Sequence, residues 1–252
     1  MVVFLAPGAI DERGSWTCDD DSAEFRAHTQ RGRIAARPWF PRGAPMHPAT
    51  TAQPDLHGKD AVIDWTCELL DQLDGHWTHQ LRPRLDALTD QEYLWEPVPG
   101  CWNVRVRGAQ DNPAAIGSGP FTLDLLRPPP SPAPVTTIAW RMAHLIVSVL
   151  GTRVAAQFGG PTVSNEDFHY AGTATEALAQ LDGVYAQWIA GVRGLGTAGL
   201  SRPCGPSEVQ YGNPADLPLV SLVLHVSREV IHHGAEIALL SDLYTPSQLV
   251  SR

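Results

Sequence analysis

The strongest constraint on this 252-residue chain is residues 216–244, DLPLVSLVLHVSREVIHHGAEIALLSDLY. Apolar residues recur at Leu219, Leu222, Val223, Val226, Val230, Ile237 and Leu240, close to a 3.6-residue period. The spacing predicts one long helix with a buried face. His225, Glu229, His232, His233 and Glu236 sit inside that pattern. Residues four apart lie one above the other on a helix, so His225, Glu229 and His233 form a stripe. Glu229 and His233 can therefore point at one atom, as two ligands for a divalent metal. A carboxylate on a face otherwise made of Val, Leu and Ile is costly unless it is paired or metal-bound.

Two ligands do not hold a metal tightly. The best third candidate is His144 in TTIAWRMAHLIVSVLG, which reads as a second, strongly apolar helix. A lone His on such a helix is ordinarily a hydrogen-bonded core residue; Glu229 is what favours the metal reading. Helical bundles host metals in this manner, with ligands projecting from facing helices.

Two further periodic segments complete the pattern. Residues 59–87 repeat Ala61, Trp65, Leu69, Leu73, Trp77 and Leu81 every fourth position, with Pro83 expected to bend or end the helix. Residues 173–195 begin on Thr173 as a cap, with Glu176 three residues on, and present Leu178, Leu181, Tyr185, Trp188, Ile189 and Val192. The second helix is expected over 136–158, where Gly159, Gly160 and Pro161 stop it. Thr89 and Glu92 make a short helix from TDQEYLW, and the rest of 89–135 reads as an irregular connection. Residues 196–215, rich in Gly and Pro, read as loop. His76 and His79 fall outside the metal pattern and are expected to face solvent or the next segment.

These segments, with AWRMAHLIVSVLG and REVIHHGAEIALLSDLY, resemble the DinB/YfiT superfamily of four-helix bundles over about residues 59–244. Members carry one His on the second helix and a His-x-x-x-His or Glu-x-x-x-His pair on the last. The run His232-His233-Gly234-Ala235-Glu236 corresponds to that last motif, and Glu229 stands where many members have His. A His, Glu, His set is that of the branch of mycothiol-dependent maleylpyruvate isomerases. WEPVPGCWNVR, residues 95–105, is similar to the segment after the first helix in these proteins. The resemblance implies an all-α bundle in up-down-down-up order. Residues 160–172 can reach about 43 Å at roughly 3.3 Å each, and a 22-residue helix is about 33 Å long, so the chain can cross the bundle between the second and third helices.

The resemblance also implies a metal site of His144, Glu229 and His233, with His225 the rival ligand and His232 and Glu236 supporting residues. The metal is expected to be zinc, with nickel, iron or manganese as alternatives. The chemistry it implies is an S-transferase or isomerase using mycothiol or a similar small thiol. A cleft for such a thiol needs cationic groups beside the metal, for which Arg141, Arg153 and Arg228 are the candidates, with surface or ion-pair roles as the plainer reading of each. A hydrolase using bound hydroxide, with Glu236 or His225 as base, and a non-catalytic metal-binding bundle are the alternatives. The expected partners are a small-molecule substrate and a small thiol, with a homodimer left open.

Residues 1–58 hold Asp19, Asp20 and Asp21, scattered Arg, and Pro7, Pro38, Pro41, Pro45, Pro48 and Pro54, with no sustained period. They read as a disordered extension or as upstream of a true start at Met46, and residues 247–252 as a tail. Net charge is -9, which suggests no general nucleic-acid partner. No apolar run approaches the roughly 18 residues of a membrane span. Cys18, Cys67, Cys101 and Cys204 form no CxxC pair, against a zinc ribbon or redox motif. Reduced thiols in a cytoplasm are the expectation.

Overall fold

The computed structural model describes residues 63–109 and 112–250, and side-chain surroundings up to residue 244. The expected extension of residues 1–58, Cys18 and the start of helix one at Lys59 lie outside the described residues.

Helix α1 is an α segment Trp65–His76, a π segment Trp77–Leu81 and a last turn Arg82–Arg84. Among the described residues it begins at Trp65, where Asp64 caps it: its Oδ1 accepts from the amides of Thr66 and Cys67 at 3.0 and 3.2 Å. A carboxylate at that position satisfies amides that have no partner within the helix. A repeat of four residues drifts by about 40° per step on a helix of 3.6 residues per turn. The expected face therefore does not hold at its start. Trp65 is 56% exposed, and Leu70, Leu73, Trp77 and Leu81 are the buried apolar positions.

Helix α2 runs through Ile138–His144, a π segment Leu145–Gly151 and Thr152–Phe158. Every residue from Leu145 to Gly151 is buried, as the apolar sequence on all sides requires. Gly159 and Gly160, at φ 89° and 118°, end it in a conformation open mainly to glycine. Helix α3 is Ala174–Arg193, capped by Thr173 Oγ1 accepting from Glu176 N at 3.3 Å. Helix α4 is Leu219–Val250, so four residues of the expected tail are helical.

α1 packs on α3 and α4, and α2 packs on the same two. Trp77 stacks on Tyr185 at 3.8 Å between ring centroids, and the Tyr185 hydroxyl donates to Asp74 at 3.0 Å. Arg82 holds Asp182 with two nitrogens at 2.8 and 3.0 Å, a fork geometry stronger than a single ion pair. Arg84 meets Asp242 on α4 at 2.6 Å. Fully buried Leu73, Leu145, Leu181 and Leu222 each contribute roughly 1.5–3 kcal/mol from burial.

The chain is mostly helical, and the short helix expected from TDQEYLW forms at Asp90–Tyr93 with Thr89 as its cap, but the rest of residues 89–135 is not the irregular connection expected. It carries a three-stranded antiparallel sheet of β1 Val104–Val106, β2 Ala115–Ile116 and β3 Phe121–Asp124, in the order β1-β3-β2. Strands of two to four residues are too short to show an alternating pattern in sequence. The expected loop 196–215 likewise contains two short helices, Gly196–Ser201 and Pro206–Tyr211. The second carries Glu208, 1% exposed, whose carboxylate faces buried Arg153 at 3.6 Å. Among the described residues no helix is long and apolar enough to cross a membrane.

Candidate metal centre

The sheet fixes the first turn of α2. Asn103 N donates to Asp124 Oδ2 at 3.0 Å, and the Thr137 hydroxyl, at the α2 cap, donates to Asn103 Oδ1 at 2.7 Å. Arg105 pairs with both Asp124 and Glu96 at 2.8 Å. Trp140 Nε1 then donates to the Asp124 carbonyl at 2.7 Å. The Trp140 ring stacks on His144 one turn later, at 5.3 Å and 14°, and on Trp102 at 6.0 Å. The WNVR run of residues 102–105 thus reaches the His144 imidazole through one tryptophan. Sequence reading missed Trp140, although its i, i+4 spacing to His144 was a visible signal.

His144 meets α4 edge-on. Its ring centroid is 4.9 Å from that of His233, at 87°. His233 Nε2 lies 3.5 Å from Glu229 Oε2. One ligand atom each from His144, Glu229 and His233 lies within 4.8 Å of the others. For bonds of about 2.1 Å at tetrahedral angles, ligand atoms stand about 3.4 Å apart. The Glu229–His233 pair is therefore already at ligand spacing, with a His144 ligand atom within 4.8 Å of both.

The charge states suit a metal. Burial, helped by the nearby His233, pushes His144 down to about 3, so its imidazole is neutral with a lone pair available. Among the described residues no hydrogen-bond donor or acceptor meets either of its ring nitrogens. The hydrogen bond from His233, with the histidines around it, holds Glu229 down at about 2 against its partial burial. Burial pulls His233 down, but the hydrogen bonds of Glu229 and Glu236 outweigh it and raise it. His233 Nδ1 lies 2.7 Å from Glu236 Oε2. A carboxylate only accepts, so Nδ1 donates to Glu236, and Nε2, which donates to Glu229 in the metal-free chain, is the nitrogen that would give up its hydrogen to a bound ion. A carboxylate holding the far nitrogen of a histidine fixes its tautomer and ring orientation.

The remaining expected residues divide clearly. His225 Nδ1 is 3.8 Å from Glu229 Oε1 but 2.9 Å from Arg228 Nη2, and it does not join the group containing His144. His232 is 62% exposed on its side chain, with Nε2 3.4 Å from Glu236 Oε1. His232, His233 and Glu236 form a second cluster of ligand atoms, but Arg141 pairs with Glu236 there. The arginines expected beside a cleft are engaged within the chain. Arg153 donates to the Ser148 carbonyl and lies 4.0 Å over the Tyr211 ring; Arg228 contacts His225. A cleft of about 390 Å³ lies against Ile146, Gly151, Val163, Phe168 and Gly183, and none of the triad residues lines it.

A family model of the DinB superfamily matches residues 72–237. This chain belongs to the DinB superfamily. The match runs from within α1 to within α4 and includes His144, Glu229, His233 and Glu236 in this DinB chain. Comparisons with curated proteins and with solved structures return no match.

Proposed function

We propose that this DinB chain binds one divalent metal through His144, Glu229 and His233, zinc first and nickel, iron or manganese as alternatives. We further infer that it is a cytoplasmic S-transferase or isomerase of a small electrophile, using mycothiol or a similar low-molecular-weight thiol. The observation that carries the reading is the match of position to charge state: a neutral imidazole, an ionised carboxylate and an oriented second imidazole share one small volume. The bundle is read in up-down-down-up order, with His144 and the Glu229–His233 pair on facing helices.

Three protein ligands leave open positions, the pattern of catalytic rather than structural sites. A divalent ion held there supplies Lewis acidity toward a thiol or water. The chain's own residues do the rest. Glu236 keeps the hydrogen on His233 Nδ1, so Nε2 is the donor atom turned inward. Trp140 covers one face of His144 and keeps water from it. The hydrolase alternative needs a free base, and both named candidates are engaged, Glu236 by Arg141 and His233, His225 by Arg228. That favours the thiol reading.

The test is elemental analysis of the purified protein, then a thiol-conjugation assay with mycothiol, with and without the metal found. His144→Ala, Glu229→Ala and His233→Ala should lose the ion while His225→Ala keeps it. Loss in His225→Ala with retention in Glu229→Ala would move the carboxylate role away from Glu229 and remove the link to the mycothiol branch. Full metal content without conjugation would leave the non-catalytic reading in place.

A further inference from the structure

The second cluster on α4 has an unusual neighbour. His232, His233 and Glu236 offer three ligand atoms within 4.8 Å of one another, the same donor types as the first site. Yet the cation found there belongs to the protein. Arg141, from α2, places Nη1 against Glu236 Oε2 and 3.3 Å from His233 Nδ1. Its side chain is only 17% exposed. Its Nε is buried with no hydrogen-bond partner. A guanidinium taken out of water with one donor unsatisfied is costly. Helix packing alone would be served better by an apolar side chain of similar size.

We propose that Arg141 stands where a second metal ion would otherwise sit, and so keeps this a single-ion centre. The inference rests on His144, Glu229 and His233 holding the first ion. Glu236 has two oxygens: Oε2 serves His233 Nδ1 and Arg141, and Oε1 faces His232 Nε2 at 3.4 Å. An ion bound by His232 and Glu236 would draw the carboxylate off His233 Nδ1 and loosen the orientation of a ligand of the first site. It would also place a second positive charge beside the first. The fixed charge of Arg141 opposes both, since like charges a few ångström apart in a partly buried site repel strongly. The guanidinium cannot lose its proton at ordinary pH, so the block is permanent. Excess zinc, which would overload a bare pair of His232 and Glu236, is thereby excluded.

The experiment is a zinc titration of the full chain, read as bound zinc per chain by elemental analysis after gel filtration and as stepwise heats by calorimetry. Wild type should take about one zinc. Arg141→Met should take up to about two, the second more weakly, and Arg141→Met/His232→Ala should return to about one. Arg141→Lys, which keeps the charge, should stay near one. Arg141→Gln serves as the uncharged variant if Arg141→Met does not fold, with folding checked by circular dichroism. If wild type binds one zinc and both uncharged variants also bind only one, the role given to Arg141 is wrong while the first site stands. A second zinc that survives His232→Ala would also overturn it, and so would a second zinc in Arg141→Lys equal to that in Arg141→Met. If wild type binds no zinc, the first site fails and this inference falls with it.

Discussion

Gly234, next to His233, lies where Leu81 of α1 presses on α4. A Cβ built at Gly234 would lie 2.6 Å from Leu81 Cδ2 and 3.3 Å from Leu81 Cδ1, and Leu81 is only 2% exposed, so it has little room to yield. Gly183, in α3, is the natural control: it is exposed, and a Cβ there meets nothing within 4 Å. Replacing a helical glycine by alanine gains up to about 1 kcal/mol of helix propensity. Overpacking a full core costs typically about 1–3 kcal/mol. Gly183→Ala should therefore stabilise by about 0.5–1 kcal/mol, and Gly234→Ala should destabilise by up to about 2 kcal/mol. In a fold of this size 1 kcal/mol moves Tm by about 2–4 °C. Thermal unfolding followed by circular dichroism should show the two variants on opposite sides of wild type. Leu81→Ala removes the clash, so on that background Gly234→Ala should become stabilising. A Gly234→Ala Tm raised as much as that of Gly183→Ala would refute the close contact between α1 and α4 at the site.

Three further outcomes follow from single contacts. Glu208→Ala leaves the Arg153 guanidinium buried without its counter-charge, which should cost about 3–5 kcal/mol in urea unfolding, and Arg153→Met/Glu208→Leu should recover much of it. Trp140→Phe keeps a ring on His144 but removes the donor to the buried Asp124 carbonyl, for about 1–3 kcal/mol and a matching fall in Tm; an unchanged Tm would mean that this bond does not anchor α2. Glu236→Gln weakens the hold on His233 Nδ1 and should lower zinc affinity about 10–100-fold in competition with a chelator, with the helical spectrum intact.

Much of α4 was legible because its information is local. The i, i+4 relation of Glu229 and His233 follows from helix geometry alone, and so does the buried face from Leu219 to Leu240. His144 was legible only as the best candidate, since nothing in periodicity states which residues of two helices meet. The same lack hid the pairing of Arg141 with Glu236, which depends on how α2 and α4 are aligned along each other. Trp65 was misplaced because a four-residue repeat does not keep one face of a helix. The π segments after His76 and His144 leave no simple mark in sequence, although such segments gather at functional sites. The sheet was invisible because Val104–Val106 and Phe121–Asp124 are short and their partners lie across breaks of Gly and Pro. Its consequence for the site, through Asp124 and Trp140, needed the folded chain.

The position of the metal can be measured directly. Crystals of the zinc-loaded protein, measured at the zinc absorption edge, give the position of the ion by its anomalous scattering. One peak about 2.0–2.2 Å from His144, Glu229 and His233 Nε2, with Glu236 still on His233 Nδ1, is the predicted result. A peak on His225, or one on His232 and Glu236 with the triad empty, would contradict it.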